Sequence, residues 1–166
     1  MILGMSIETF TQLHTGISLI AIVTGLIALV GMLRGSAPGW ITHVFLVTTA
    51  LTTITGFLFP ISVFTPALGT GIVSTALLIP AFAGLYAFHL AGAWRWIYAT
   101  TAIAALWLNC FVLVVQSFQK IPALAELAPT QSEPPFLIAQ GLVLVAFIVA
   151  GYLAVKRFHP PVALAT

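Results

Sequence analysis

Charged residues are scarce in this sequence: its 166 residues include five Lys or Arg and three Asp or Glu, which is 5% of the chain. A soluble domain carries about 25% charged residues, so there is too little charge here to cover a water-facing surface. Hydrophobic residues make up 61% of the chain, and the mean hydropathy is +1.18. The composition therefore predicts an integral membrane protein. A formal net charge of only +2, without any basic run, argues against nucleic acid as a partner.

Cysteine is nearly absent as well, and Cys110 stands alone within an apolar run. A single cysteine excludes an intrachain disulfide and a metal site built on the cysteines of one chain. Such a thiol usually packs as a small hydrophobe. The sequence also has no nucleotide-binding loop, no serine nucleophile elbow and no charged residue at the centre of a span. These absences argue against an ion-coupled transporter or proton pump and favour a binding protein over an enzyme.

Long apolar windows dominate what is present, and five of them have the length of about 20 residues that a bilayer core requires. We predict spans at about 10–33, 40–59, 72–90, 94–118 and 136–155, with a long polar loop at 119–135. Helices are expected, because backbone groups in hydrocarbon must be satisfied within the segment and the windows lack the alternation of barrel strands. The fold class is therefore an all-α five-helix membrane bundle, forming a single domain over residues 1–166. Pro80 predicts a kink in the third helix.

The basic residues predict how the bundle is oriented. Five crossings put Arg34, Arg95, Lys156 and Arg157 on one face and leave Lys120 on the other. Because basic residues concentrate on the cytoplasmic side, we expect the N-terminus outside, the C-terminus inside and the loop 119–135 outside. The first apolar run lacks a basic flank and is too long for a signal peptide, so it is predicted to be a retained span.

Polar side chains collect on several predicted helices toward the outer side. Asn109 and Gln116 are seven residues apart and share a helix face, and polar groups facing lipid are costly. We therefore predict an outward-opening pocket, roofed by the long loop, for a quinone-like or lipid-like ligand or for a partner protein. The alternative is that these side chains only join helices to one another. The predicted ligand-binding residues are His14, Thr52, Thr55, Asn109, Gln116, Gln131, Glu133 and Gln140.

Histidines raise two further hypotheses. His14 titrates near neutral pH, so it is a candidate base, proton relay or metal ligand, with a structural interfacial histidine as the alternative. One histidine and two carboxylates without helical spacing do not predict a metal site. His43 and His89 fall at the inner side of neighbouring helices, where they could ligate haem b axially in an electron carrier. The alternative is a pair of interfacial rings that reach toward water.

Small residues repeat at four-residue spacing on two helices, as Ala83, Ala87 and Ala91 and as Ala146, Ala150 and Ala154. Such stripes allow close helix approach. They are compatible with packing inside the bundle, with a homo-oligomer interface, or with an accessory subunit that docks on a larger membrane complex.

Three segments carry a resemblance: Thr55–Pro60 (T-G-F-L-F-P), Ala93–Tyr98 (A-W-R-W-I-Y) and Ala128–Phe136 (A-P-T-Q-S-E-P-P-F). On these segments the chain resembles a group of small multi-pass bacterial inner-membrane proteins, over most of its length. The last segment is the most specific. The resemblance implies a bacterial inner membrane and no particular activity. Members of the group carry a histidine in the connector after the second helix, whereas Ser62–Gly69 of this chain contains none.

Overall fold

A computed structural model describes residues 1–60 and 66–160, so residues 61–65 of the connector after the second helix lie outside the described part. Within the described residues the protein is 80% helix and has no strands. Five helices are long and apolar enough to cross a membrane, when α3 is taken together with the π-helical turn that continues it. The predicted all-helical, multi-pass membrane protein is confirmed at this level. The elements are α1 Ile7–Leu33, α2 Trp40–Phe57, α3 Pro66–Phe82 with a π-helical turn Ala83–Ala87, α4 Trp94–Lys120, α5 Pro122–Leu127 and α6 Pro134–Arg157.

Local capping explains where α1 begins and ends. The hydroxyl of Ser6 accepts a hydrogen bond from the amide of Thr9 at 3.1 Å and so caps the N-terminus. At the other end Gly35 adopts a φ of +70°, which glycine tolerates at low cost, and its amide donates to the carbonyl of Met32. The next amide, from Ser36, reaches the carbonyl of Gly31. This pair of bonds satisfies carbonyls that the helix end would otherwise leave free.

The third span departs most from its predicted bounds and geometry. It begins at Pro66 rather than at 72, and proline is well suited to a first helical turn. Pro80 lies inside the helix and cannot donate to a preceding carbonyl. One turn later the helix widens into the π-helical turn Ala83–Ala87. Two residues with positive φ, His89 at 47° and Leu90 at 61°, then end the span.

Helix α4 is the centre of the bundle. In its most hydrophobic stretch 44% of the residues are buried, against 6% in α6, so α4 packs among the other helices and α6 lies at the edge. The buried face of α4 follows the helical repeat. It includes Tyr98, Ala99, Ala102, Ile103, Ala105 and Leu106. The exposed apolar side chains of α6, such as Leu142, Val145 and Ile148, are those expected of a surface in contact with lipid.

A glycine sets the closest approach of three helices. A Cβ atom added to Gly25 of α1 would lie 2.5 Å from Cδ1 of Leu106 on α4 and 2.8 Å from ring atoms of Phe45 on α2. Small residues permit such contacts between membrane helices. The alanine repeats behave differently, since Ala154 is fully buried but Ala87 and most of its repeat are not. The interpretations as an oligomer interface or as a docking face for a larger complex stay predictions.

The basic residues gather at one end of the bundle. The guanidinium Nη1 of Arg95 donates to the carbonyl of Phe158 at 2.6 Å and lies 3.4 Å from that of Val155. The turn after α1 lies against the same segment, since a Cβ on Gly35 would be 3.0 Å from the carbonyl oxygen of Arg157. We refer to this as the basic end. The loop between α4 and α6 lies at the opposite end of α4.

Candidate functional site

His14 and Thr55, two of the predicted site residues, meet between α1 and α2. Nδ1 of His14 lies 2.7 Å from the hydroxyl oxygen of Thr55. That hydroxyl also donates to the carbonyl of Leu51 at 2.7 Å, as threonines in membrane helices commonly do. Which atom donates in this contact depends on the imidazole tautomer, and a Thr55 proton engaged within α2 favours Nδ1–H of His14 as the donor. In that tautomer Nε2 of the imidazole is an acceptor, and it has no partner among the described residues.

The surroundings of His14 are half apolar. Its ring packs edge-on against Phe59 with the centroids 5.3 Å apart, and Phe59 packs edge-on against Phe10 at 5.1 Å. The side chain is half-buried. His14 therefore presents one polar nitrogen at an otherwise aromatic surface near the start of α1.

A second polar cluster joins α2 to its neighbours deeper in the bundle. The hydroxyl oxygen of Thr49, which is fully buried, accepts a hydrogen bond from Nδ2 of Asn109 at 3.3 Å. One turn along α2, the hydroxyl of Thr53 donates to the carbonyl of Thr49 at 3.0 Å and lies 2.8 Å from the hydroxyl of Ser74 on α3. These bonds tie α2 to α4 and α3. Thr52, on the same helix, has a buried hydroxyl that finds no partner among the described residues.

The glutamines of the predicted site bind backbone carbonyls of α4. Nε2 of Gln140 donates to the carbonyl of Phe111 at 3.1 Å, while its Oε1 is buried and has no partner in the described part of the chain. Nε2 of Gln131 donates to the carbonyl of Val115 at 3.0 Å. Gln131 therefore joins the loop to α4, and Gln140 joins α6 to α4. No side-chain hydrogen bond of Gln116 is found within residues 1–60 and 66–160.

Glu133 organises the loop immediately before α6. Its Oε1 accepts hydrogen bonds from the hydroxyl of Thr130 at 2.8 Å and from the Thr130 amide at 3.2 Å, and its Oε2 accepts from the Ser132 amide at 3.1 Å. The Thr130 hydroxyl, and after it these amides, lower the pKa of the Glu133 carboxyl below its ordinary value of 4.5. An apolar contact lies beneath the loop, where the rings of Phe118 and Phe136 pack edge-on with their centroids 5.4 Å apart.

The predicted site residues thus fall into separate groups rather than around one described cavity. His14 meets Thr55, Asn109 meets Thr49, and Gln131 and Gln140 hold the α4 backbone. Two cavities lie elsewhere in the bundle, one at the basic end and one between α4 and α6. The ligand-binding role of the set, and the closing of Gln131 or Glu133 over a ligand, stay predictions.

His43 and His89, the proposed haem ligands, are both exposed. Nδ1 of His43 lies 2.7 Å from the hydroxyl oxygen of Tyr86, and the two rings are tilted with centroids 5.4 Å apart. His89 lies in the turn that ends the third span, with a φ of 47°. Neither residue lines the cavities named above. The haem interpretation stays a prediction, and a ligating His43 would use Nε2, since Nδ1 is engaged.

Metal sites and known relatives add no further assignment. Among residues 1–60 and 66–160 no group of three His, Cys, Asp or Glu side chains is placed to hold a metal ion. No protein-family model, no curated protein and no solved structure matches this chain.

Three residues of the polar cluster were missed as site residues. Thr49 and Thr53 were not among the predicted site residues, yet they form the buried bonds to α4 and α3. The available signal was their spacing of four, which places them on one face of α2. Which face of a threonine-rich helix turns inward depends on the neighbouring helices. Ser74 carried no signal beyond a polar atom within a span.

Proposed function

We propose that this chain is an inner-membrane protein that binds a small amphipathic molecule through a polar site on α1, α2 and α4. The ligand class is a hydrocarbon body with a hydrogen-bonding carbonyl or hydroxyl group, as in a quinone or a lipid headgroup. Such a ligand suits mostly apolar surroundings that contain a few fixed polar groups.

The observation that carries the proposal is the hydrogen bond between His14 and Thr55. It is made between helices, it engages Nδ1 of His14, and it leaves Nε2 of His14 without a protein partner in the described residues. Here the fixed Nδ1 orients the ring, so that Nε2 can accept a hydrogen bond from a ligand hydroxyl or from a bridging water.

Unpaired polar atoms at the same side support the same function. The hydroxyl of Thr52 and Oε1 of Gln140 are buried and without partners among the described residues. Buried polar atoms usually find partners, because leaving one unpaired is costly. A ligand polar group or an ordered water at these atoms would remove that cost.

The proposed orientation places this side outside the cell. Arg34, Arg95, Lys156 and Arg157 lie on helix ends and turns at the basic end, while Lys120 ends α4 on the opposite side. By the excess of basic residues in cytoplasmic segments, the basic end faces the cytoplasm. Single-cysteine labelling tests this: in a Cys110→Ser background, a membrane-impermeant maleimide applied to intact spheroplasts should label Gln131→Cys and not Ser36→Cys.

Retention of a small molecule from native membranes tests the ligand proposal. The protein is extracted in mild detergent, and bound organic-soluble molecules are quantified by mass spectrometry. We expect one species to be retained by the wild type and to be reduced at least severalfold in His14→Phe and in Thr52→Val. Thr75→Val is the control, since Thr75 is an exposed threonine of α3 whose hydroxyl bonds its own helix and which lines neither cavity. Equal retention in all four proteins would refute the proposed site.

A further inference from the structure

A cavity of about 220 Å³ opens at the basic end, on the side of the bundle away from His14 and Thr55. Its walls are the last turns of α1, the turn 36–39, the first turn of α2, one residue of α4 and the residue that follows α6. Ile27, Met32, Trp40 and Phe158 make most of this lining apolar, and Thr42 adds a buried hydroxyl. Nothing in the proposed function uses this cavity.

Tyr98 is the first sign that the cavity is built for a ligand. The side chain of Tyr98 forms part of the wall, is fully buried, and its hydroxyl has no partner among the described residues. The Tyr98 ring packs against Phe158 with the ring centroids 5.9 Å apart. The Cβ atom of Tyr98 lies 3.0 Å from the position that a Cβ atom on Gly84 would take. Because buried tyrosine hydroxyls usually have a partner, this donor calls for an acceptor that residues 1–60 and 66–160 do not supply.

The N-terminus of α2 is the second sign. Gly39 occupies the cap position and makes no side-chain hydrogen bond, so the first amides of an 18-residue helix are left uncapped. The residues that carry those amides, Trp40 and Ile41, both line the cavity. Uncapped amides and the positive end of the helix dipole favour anionic oxygens at this position.

The groups around the cavity are complementary to an anion with an apolar body. Its polar contributors are hydroxyl groups and the uncapped amides, and its lining contains no carboxylate. Arg34 caps α1 beside the lining turn, and the neighbouring Gly35 contacts the backbone of Arg157. We propose that this cavity binds the phosphate group of an anionic membrane phospholipid, with the phosphate oxygens on the α2 amides and Tyr98. The apolar walls then contact the glycerol and upper acyl segments.

The first test removes a single oxygen atom. Wild type, Tyr98→Phe and Tyr152→Phe are titrated with dioleoylphosphatidylglycerol in detergent, and binding is followed by native mass spectrometry. Tyr152 is an exposed tyrosine outside this cavity. We expect Tyr98→Phe to weaken lipid binding about tenfold, as loss of a hydrogen bond to a charged group does, and Tyr152→Phe to bind as the wild type does. Unchanged binding by a folded Tyr98→Phe would overturn the proposal.

The second test fills the cavity while leaving the polar groups in place. Gly31 and Gly16 both lie in α1 with open space where a Cβ would stand, and only Gly31 lines the cavity. Gly31→Leu should abolish phosphatidylglycerol binding, whereas Gly16→Leu should retain it. If both variants bind equally, the lipid is held elsewhere on the surface and the proposal fails.

Two control ligands separate the sources of the phosphate chemistry. Inorganic phosphate alone should bind at least a hundredfold more weakly than phosphatidylglycerol, because it cannot use the apolar walls; comparable binding of the two would show a simple anion site and refute the lipid assignment. Dioleoylphosphatidylcholine, whose phosphate is neutralised by choline, should bind more weakly than phosphatidylglycerol. His14→Phe should leave phosphatidylglycerol binding intact, so failure of the outer site and failure of this one are distinguishable.

Discussion

Gly25 offers the sharpest test of how the three central helices pack. An alanine methyl at this position would come within 2.5 Å of Cδ1 of Leu106 and 2.8 Å of two ring atoms of Phe45. Both neighbours are almost completely buried, with exposed fractions of 1%, so neither can move aside without displacing others. Overpacking of this kind costs about 1–3 kcal/mol, and three contacts below 3.0 Å place Gly25→Ala toward the upper part of that range.

The helix propensity of alanine offsets part of this cost. Alanine is favoured over glycine in a helix by about 0.5–1 kcal/mol. We therefore expect Gly25→Ala to lower the free energy of unfolding by about 2 kcal/mol. Gly16→Ala is the matched control, because Gly16 lies in the same helix with nothing within 4 Å of the added atom. In Gly16→Ala only the helix propensity changes, so the free energy of unfolding should rise by up to about 1 kcal/mol.

The assay is reversible unfolding in mixed micelles by titration with sodium dodecyl sulfate, followed by far-ultraviolet circular dichroism. A double-mutant cycle adds specificity: combined with Leu106→Ala, which removes the closest atom, Gly25→Ala should cost about 1 kcal/mol less than it does alone. If Gly25→Ala and Gly16→Ala change stability in the same direction, or if the cycle shows no coupling, α1, α2 and α4 do not pack as described.

Three further outcomes are expected elsewhere in the chain. Ser74→Ala removes one hydrogen bond between α2 and α3 and should destabilise the protein in the same assay by only about 0.6 kcal/mol. The pKa of Glu133 is lowered, chiefly by the hydroxyl of Thr130, so the ionised carboxylate stabilises the loop above pH 4.5. Protection of the loop amides against hydrogen exchange should therefore persist down to pH 4.5 and be lost as the pH falls below it. Arg95→Gln removes the charged donor to the carbonyl of Phe158 and should increase protease cleavage after α6 without changing helix content.

The spans were predictable because hydropathy alone determines them. A run of about 20 apolar residues has few alternatives in hydrocarbon, and the first, second, fourth and fifth windows end within a few residues of the helices. The third window was predicted to begin at 72, whereas the helix begins at Pro66. The glycines in 66–71 are typical of a connector, although the segment is helical. The short helix Pro122–Leu127 was also missed. Its length lies far below a membrane span, and its polar neighbours resemble a loop.

The pairing of polar side chains was less predictable, for a geometric reason. Hydrophobicity shows that Thr48, Thr49, Thr52, Thr53 and Thr55 belong to one helix, but not which of them turns toward α4. The structure gives that position to Thr49, while Thr48 bonds its own helix. An error of one residue rotates a helix face by 100°, which is enough to exchange a buried donor for a lipid-facing one. The sequence therefore identifies the polar helix and leaves its rotation open.

The unpaired polar atoms bear on the choice between a ligand-binding role and a role in joining helices, which the paired atoms leave open. If polar residues served only to join helices, each would be satisfied within the bundle, since hydrocarbon offers no replacement partner. The hydroxyls of Thr52 and Tyr98, Nε1 of Trp107 and Oε1 of Gln140 are instead buried and unpartnered in the described part of the chain. They lie on both sides of the bundle, and Tyr98 and Trp107 each border a cavity. Occupancy by a ligand, a lipid or an ordered water should therefore be sought first at the two cavities that Tyr98 and Trp107 line.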